Sequence, residues 1–375
     1  MHRSGTSAVA AALHVLGLDV GSESGLMAAD AANPEGYLEI GAIADLDDEI
    51  LALLGGRWDA PPVLAEGWAN DPALTPWVRR AMTTRASHLP GDRWLLKDPR
   101  VSLLLPLWRR AVLDRCAAVL VVRHPMETAW SIALRNGIPT MTGLALWAAY
   151  NRAALAGLAG LPVYVCVYDH IVTDPVGSIT ELAAALVEWG EIDADSDAVA
   201  RAAAGIRPDL RRSTWQREAA EALARPAEID RLVAILDGLA GRHDVFAPPS
   251  VPEAPWEEAL LSERRFGIAE ARRVQVERDA AKVAQQDLVA EVAAVRQTAL
   301  RLEAELRAAQ VESERRAEAR REAQAALDAE RASARETRAA LRRAEARWQR
   351  LTARWPVRFA RSVRRLLRPP SRRSS

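Results

Sequence analysis

Cysteine, lysine and long apolar runs are all scarce in this 375-residue chain. The two cysteines, Cys116 and Cys166, are too few for a disulfide scaffold. Both lie in or beside apolar segments, so we expect buried thiols in a reducing cytoplasm. No apolar run approaches the ~20 residues that a helix needs to cross a bilayer, which excludes an internal membrane span. The six histidines show no metal-ligand spacing, and the sequence therefore predicts no metal site.

The chain opens on a glycine turn that leads into an apolar helix. Gly5 permits a tight turn, and the backbone N–H groups from Ser4 to Ser7 would point at an incoming anion. Arg3 adds a planar guanidinium that suits phosphate or sulfate oxygens. A nucleotide-hydrolysing P-loop has lysine after this glycine, whereas this chain has Thr6. The turn predicts an anion site of another kind, and the alternative is a helix start capped by Thr6 or Ser7.

A second candidate anion site follows an apolar, β-branched run at residues 117–122 that predicts a buried strand. The strand ends at Arg123, and Pro125 suits the first turn of a following helix. Ser131 lies two turns into that helix, so Arg123 and Ser131 can converge on one phosphate. The alternative is that Arg123 is a surface residue after a core strand.

A third segment carries Lys97, one of only two lysines in the chain. It lies at the end of a short predicted strand, followed by Asp98 and Pro99 and then by an apolar helix. A compact ammonium differs from guanidinium in geometry and can donate a proton, so Lys97 is a candidate catalytic residue. The alternative is a solvated loop lysine.

Together these segments resemble the sulfotransferases that use 3′-phosphoadenosine 5′-phosphosulfate (PAPS), and in particular bacterial sulfotransferase-like proteins. The resemblance covers roughly residues 1–215 and is patchy between the motifs. It implies that Arg3, Ser4, Gly5, Thr6 and Ser7 hold the 5′-phosphosulfate, and that Arg123 and Ser131 bind the 3′-phosphate. It also implies that Lys97 contacts the transferring sulfuryl group, with PAPS as co-substrate and no metal.

The acceptor needs a general base, and the segment from Asn33 to Glu39 offers two carboxylates. This segment resembles an Asn-Pro-x-Gly-x-x-Glu element of the bacterial relatives. Glu39 is preferred over Glu35 because it would begin the next helix facing the cleft. His124 is the other candidate, and either carboxylate can instead be an ordinary acid at a helix start.

The chain departs from the family pattern in three places. Arg3 stands where many cytosolic sulfotransferases have lysine, although the tyrosylprotein branch also uses arginine. The glycine-rich loop that completes the nucleotide site of cytosolic sulfotransferases is absent, and the segment from Arg207 to Arg212 is a candidate substitute. The opening turn also lacks the central strand that precedes phosphate loops in such folds, so we expect the natural chain to begin upstream of Met1.

Alternating strand and helix patterns predict an α/β three-layer sandwich around a parallel sheet over residues 1–246. A Pro-rich linker is predicted at 247–256, and a long helix at 257–347. An alanine-rich heptad seam in this helix changes phase near Arg316 and predicts a coiled-coil homodimer. The alternative is a single charged helix. The seam comprises Val274, Ala281, Leu288, Val292, Val295, Ala299, Leu302, Leu306 and Ala309, then Leu327, Ala334, Leu341 and Trp348.

Residues 348–375 form a predicted tail in which arginines alternate with aromatic and aliphatic residues. Such a cationic amphipathic helix is typical of a membrane surface. We therefore expect a cytoplasmic protein with peripheral contact to the inner membrane face. Nucleic acid is a disfavoured partner, and a disordered tail is the remaining alternative.

The function predicted from these patterns is transfer of a sulfuryl group from PAPS to a hydroxyl or amine. A glycan or glycolipid acceptor is implied by the resemblance alone. One rival is a small-molecule kinase, which would need the lysine that is missing after Gly5. The other is a non-catalytic scaffold in which a nucleotide domain anchors the coiled coil and the tail at a membrane.

Overall fold

A computed structural model describes the chain except residues 31–32, 34–35, 113–115, 208–224, 253, 309–312 and 354–375. It also leaves the side chains of 299–319 and 348–353 undescribed. Two compact units divide the chain, Met1–Ser262 and Glu263–Ser375. The first contains all the candidate site residues.

The first unit contains a small mixed sheet. β1 (Ala118–Val122) pairs in parallel with β2 (Val163–Val167), which pairs antiparallel with β3 (Gly241–His243). The sequence predicted a larger, parallel sheet inside a three-layer sandwich. The part of the chain described here shows the smaller sheet, because the extended Trp94–Lys97 segment pairs only through a bridge between Asp19 and Trp94.

Helices account for most of the rest of this unit. Two begin at Asp174 and Asp195, whose carboxylates accept backbone N–H bonds from the first helical turn. In chain order the helices are α1 (Thr6–Val15), α2 (Gly41–Leu53), α3 (Thr75–His88), α4 (Val101–Val112), α5 (Pro125–Asn136), α6 (Thr140–Gly157), α7 (Tyr168–Thr173), α8 (Pro175–Glu188), α9 (Ser196–Ala204) and α10 (Ala227–Gly238).

Helix α6 ties the hydrophobic core to the end of β1. Trp147 and Tyr150 are among the largest fully buried side chains, and each has a partner for its polar group. Trp147 Nε1 donates to the backbone oxygen of Arg123 at 2.9 Å, and the Tyr150 hydroxyl donates to that of Trp58 at 2.7 Å. Buried aromatic side chains with satisfied polar groups fix their surroundings strongly. The backbone at Arg123 is therefore held from the core side.

In the C-terminal region, helix α11 spans Pro255–Ala308 and α12 spans Ser313–Ala353. The sequence predicted one helix over 257–347, but two ion pairs show that the chain turns back on itself. Arg278 lies 3.9 Å from Glu345, and Glu270 lies 3.6 Å from Arg347. In a continuous helix Glu270 and Arg347 would be about 115 Å apart. The two helices thus run antiparallel, and the predicted change of phase near Arg316 lies close to the point where α12 begins.

The described positions of the heptad seam, apart from Val295, lie on the half-buried faces of these two helices. Its other members, Ala299, Leu302, Leu306, Ala309 and Trp348, lie outside the residues whose side chains are described. In α11 the more buried positions recur at alternating steps of four and three residues, which is coiled-coil spacing. Val295 of the predicted seam is instead 51% exposed. The homodimer stays a prediction. The half-buried positions at this spacing are Ala271, Val274, Arg278, Ala281, Gln285, Leu288 and Val292 in α11, and Ala323, Leu327, Glu330, Ala334, Thr337, Leu341 and Ala344 in α12, where Ala326, Ser333 and Ala346 are half-buried as well.

Two expectations about the membrane have different outcomes. None of the described helices has an apolar stretch long enough to cross a bilayer. The basic tail predicted at 348–375 lies outside the described residues, apart from the backbone of its first six positions. Peripheral membrane contact therefore stays a prediction.

The two cysteines offer a test of the core around β2. Cys166 is 2% exposed, as predicted, and burial raises the pKa of its thiol to about 12. Cys116, just before β1, is half-buried. At pH 8 a thiol of pKa about 12 is only about one part in ten thousand thiolate, which is the reactive form. We expect iodoacetamide to modify Cys116 well before Cys166, as followed by peptide mass spectrometry.

Raising the pH from 7 to 9 should increase the thiolate fraction of Cys166 about a hundredfold, but only to about one part in a thousand, so its labelling should stay far slower than that of Cys116. Unfolding in urea should make the two cysteines react at similar rates. Equal labelling of both thiols in the folded chain would contradict a buried β2.

Candidate functional site

A cleft of about 150 Å³ lies where the opening turn, the segment before α2, the loop before α4 and the end of β1 meet. Most of the residues predicted from the sequence line it, while Ser4 and Ser131 lie just behind its wall. Glu35 lies outside the described residues, and His124 does not line the cleft. Gly5 lines the cleft, together with the polar residues His2, Arg3, Thr6, Ser7, Asn33, Tyr37, Glu39, Lys97, Arg123, Arg135, Tyr168 and Arg207.

The opening turn has the left-handed backbone that its glycine predicted. Gly5 has φ 87° and Arg3 has φ 65°, an uncommon value for a residue with a side chain. Gly5 is also the N-cap of α1, so no side chain caps the first turn. This contradicts the alternative that Thr6 or Ser7 caps the helix, and the N–H groups at the helix start stay available to an anion.

A second constraint on Gly5 comes from the aromatic ring of Tyr168. A Cβ atom at position 5 would lie 2.2 Å from Cδ2 of that ring, far inside van der Waals contact. The same ring lies beneath the Arg123 guanidinium, with Cζ 5.0 Å from its centroid. Tyr168 therefore packs against both the turn and the arginine, a role that its position after β2 did not predict.

The two anion sites predicted separately from the sequence lie in contact. Arg3 Nε donates to Ser131 Oγ at 2.8 Å, across 128 positions of the chain. Arg123 Nη1 donates to the backbone oxygen of Arg3 at 3.2 Å. The guanidinium groups of Arg3 and Arg123 and the hydroxyl of Ser131 thus belong to one cluster.

Arg123 is a buried cation, because its side chain is only 7% exposed. This contradicts the alternative that it is a surface residue. Glu127, one helical turn further on, accepts from Arg123 Nε at 2.9 Å and lies 2.7 Å from Nη2. The carboxylate compensates the buried charge and orients the guanidinium.

Lys97 is also buried, which contradicts the solvated-loop alternative. Its side chain is 7% exposed, and that of Glu39 is 6% exposed. Lys97 Nζ donates to Glu39 Oε1 at 2.5 Å, to the Tyr37 backbone oxygen at 2.8 Å and to Ser7 Oγ at 3.2 Å. Burial lowers the pKa of the Lys97 ammonium, while Glu39 opposes that shift. The preferred carboxylate and the preferred lysine are thus direct partners.

The loop that carries Lys97 is anchored by a second buried arginine. Arg100 Nη1 donates to Asp98 Oδ2 at 2.8 Å, and its Nε donates to Asp48 Oδ1 on α2 at 2.7 Å. Burial raises the pKa of Asp98 to about 6, and Arg100 opposes this rise. Two cation–carboxylate pairs, Lys97–Glu39 and Arg100–Asp48, therefore connect this loop to the α2 region.

One side of the cleft is formed by residues that sequence reasoning missed. The hydroxyl of Tyr37 donates to Asp30 Oδ2 at 2.7 Å and accepts from Arg135 Nη2 at 2.7 Å. The Arg135 guanidinium also stacks over the Tyr37 ring at 5.3 Å. A signal was present, since Arg135 follows Ser131 by four residues and shares its helix face.

Searches for relatives and for a metal site gave no assignment. Comparison with family models, with curated proteins and with solved structures found no match to this chain. Among the residues that the structure describes, no group of three or more His, Cys, Asp or Glu side chains is placed to hold a metal ion.

Replacing Gly5 by alanine should lower the free energy of unfolding by far more than left-handed backbone strain alone accounts for. Gly137 is the matched control, because it has φ 66° at the end of α5 and a Cβ atom added there would meet nothing within 4 Å. Gly137→Ala should cost about 1–2 kcal/mol of unfolding free energy from left-handed strain. Gly5→Ala adds the clash with Tyr168, so urea unfolding should show a clearly larger loss. Equal losses would show that the ring does not constrain the turn.

Glu39→Gln should leave the Lys97 ammonium buried without its carboxylate. Removing one partner of a buried pair costs about 3–5 kcal/mol of unfolding free energy. The matched control is Glu49→Gln, which breaks the exposed pair of Glu49 with Arg80. That control should unfold at nearly the wild-type urea concentration, because exposed pairs stabilise little. A Glu39→Gln variant as stable as the control would contradict the buried pair.

Proposed function

We propose that this protein is a PAPS-dependent sulfotransferase whose first unit has a P-loop-like three-layer α/β architecture. The observation that carries the proposal is the contact between the two predicted anion sites. Arg123 from the end of β1 donates to the backbone oxygen of Arg3 in the opening turn, and the Arg3 guanidinium donates to Ser131. A donor with a phosphosulfate at one end and a phosphate at the other requires two such sites in one cleft.

In this proposal the donor spans the cleft between the turn and α5. The N–H groups of residues 4–7 and the Arg3 guanidinium hold the 5′-phosphosulfate. Arg123 and Ser131 hold the 3′-phosphate, with Glu127 and Tyr168 orienting the arginine. Several cationic side chains in a confined cleft favour a multiply charged anion over a neutral ligand.

The transfer step needs positioning and charge stabilisation. The acceptor oxygen or nitrogen attacks the sulfur, and the bond from sulfur to the bridging phosphate oxygen breaks. Glu39 takes the acceptor's proton, and the Lys97 ammonium stabilises the charge that develops on the bridging oxygen. The product of the donor is adenosine 3′,5′-bisphosphate, and the sulfated acceptor is the other product. The contact between Lys97 and Glu39 places both groups at the same end of the cleft.

The acceptor class and the cellular setting are further parts of the proposal. A glycan or glycolipid acceptor rests on the resemblance to bacterial sulfotransferase-like proteins. A homodimer formed through the C-terminal helices, and peripheral attachment to the inner membrane face, rest on the heptad seam and on the basic tail. A non-catalytic scaffold is the second candidate, favoured by the separate helical unit that follows Ser262.

Calorimetry with adenosine 3′,5′-bisphosphate tests the donor site directly. We expect micromolar binding, and a loss of about 10–100-fold in Arg123→Ala, since charge-assisted hydrogen bonds contribute about 1.5–3 kcal/mol. Arg242→Ala is the control, because Arg242 pairs with Glu188 and Asp244 outside the cleft. ATP should bind more weakly, because it lacks the 3′-phosphate.

Two results would contradict the enzyme proposal. Equal affinity for ATP and the bisphosphate would favour a different nucleotide site. Absence of binding by a folded wild-type chain would favour the scaffold. With radiolabelled PAPS and a glycan pool, Lys97→Met and Glu39→Gln should each abolish transfer of label.

A further inference from the structure

A second cavity, of about 250 Å³, lies on the other side of Lys97. Lys97 and Thr6 line both this cavity and the cleft, so the two adjoin. We call the second cavity the strand slot. Its walls are formed by α1, by α4, by the Trp94–Lys97 segment and by β1, and its lining is largely aliphatic.

One wall of the strand slot is the outer edge of β1. The sheet order places β1 at an edge, paired on one side with β2. Ala118 donates its backbone N–H to Pro162 on the β2 side at 2.9 Å. Because backbone groups alternate along a strand, the N–H and C=O groups of Val119 and Val121 point the other way. Both valines line the strand slot.

The opposite wall, formed by the Trp94–Lys97 segment, is also a backbone edge. Leu95 donates its backbone N–H to the Asp19 oxygen at 2.7 Å, and Asp19 donates to the Arg93 oxygen at 3.0 Å. The same alternation turns the backbone groups of Trp94 and Leu96 away from Asp19, and both residues line the strand slot. Within the described part of the chain, neither of them makes a backbone–backbone hydrogen bond. The strand slot is therefore bordered by two backbone edges.

The two backbone edges of the strand slot favour an extended peptide as its ligand. Backbone polar groups in apolar surroundings need partners, and an acyl chain would cover the aliphatic lining without supplying any. An extended peptide supplies donors and acceptors on both of its edges. The acidic end of the slot sets its direction. Asp92 and Glu191 line that end, and the Glu191 carboxylate accepts from the backbone N–H of Ala117, just before β1. The charge of Lys97, at the other end, is already paired with Glu39.

We propose that the strand slot binds an extended apolar peptide segment as an additional β-strand, parallel to β1. Its amino end carries positive charge and lies at Asp92 and Glu191, and its carboxyl end lies at Lys97. Binding would turn β1 from an edge strand into an inner strand and would place a strand end beside the opening turn. The proposal stands on hydrogen-bond geometry and does not depend on the sulfotransferase assignment.

The test uses the full chain and a synthetic peptide, Lys-Val-Ile-Val-Ile-Val, with unblocked ends. We expect saturable binding together with reduced deuterium uptake at the backbone amides of residues 94–96 and 118–122. The matched probe has the same side chains but N-methyl groups at alternate residues, and it should not bind. Decanoate is the probe for an acyl-chain site, and it should neither compete nor protect these amides.

Two variants test whether the peptide binds in the strand slot. Ser102→Trp places a bulky ring on the lining of the strand slot and should weaken peptide binding at least tenfold. Ser87→Trp lies on the exposed surface of α3 and should bind as the wild type does. Circular dichroism should show both variants folded.

Three outcomes would overturn the proposal. They are equal binding of the N-methylated peptide, competition by decanoate, and full protection of the Val119 and Val121 amides before peptide is added. Each can be told apart from failure of the donor site, because the binding of adenosine 3′,5′-bisphosphate is measured separately.

Discussion

The candidate site depends on one hydrogen-bonded junction, in which the guanidinium of Arg123 meets the backbone oxygen of Arg3. This contact joins the end of β1 to the opening turn, and Arg3 continues it to Ser131 on α5. The core fixes one end of the junction through Trp147, and the ring of Tyr168 fixes the other by packing against Gly5. The cleft exists because these constraints hold two cationic segments together.

Three buried cations of the first unit are each paired with a carboxylate. Arg123 is paired with Glu127, Lys97 with Glu39, and Arg100 with Asp98 and Asp48. An unpaired buried cation would be strongly destabilising, so each carboxylate makes its neighbouring cation tolerable in the cleft wall. The same pairing keeps the cations in fixed orientations. A preorganised cluster of this kind favours an anionic ligand without the cost of ordering side chains on binding.

Both cavities lie against the short mixed sheet of the first unit, and β1 contributes to each of them. Where β1 meets the opening turn, its carboxyl end contributes Arg123 to the cleft. Along its outer edge, β1 contributes backbone groups to the strand slot. Lys97 lies between the two cavities and lines both. A peptide bound in the strand slot would therefore alter the geometry of the cleft through Lys97.

The sequence alone determined the local features, because they depend on neighbouring residues. The left-handed turn at Gly5, the strand that ends at Arg123 and the helix that carries Ser131 were all readable from composition and spacing. The sequence did not determine the pairing of Lys97 with Glu39 or of Arg100 with Asp48, nor the packing of Tyr168, Tyr37 and Arg135, since those contacts join residues far apart in the chain. The extent of the sheet and the reversal between α11 and α12 were likewise decided by tertiary structure. A heptad pattern specifies which face of a helix is buried. That face can be covered either by another chain or by a later segment of the same chain.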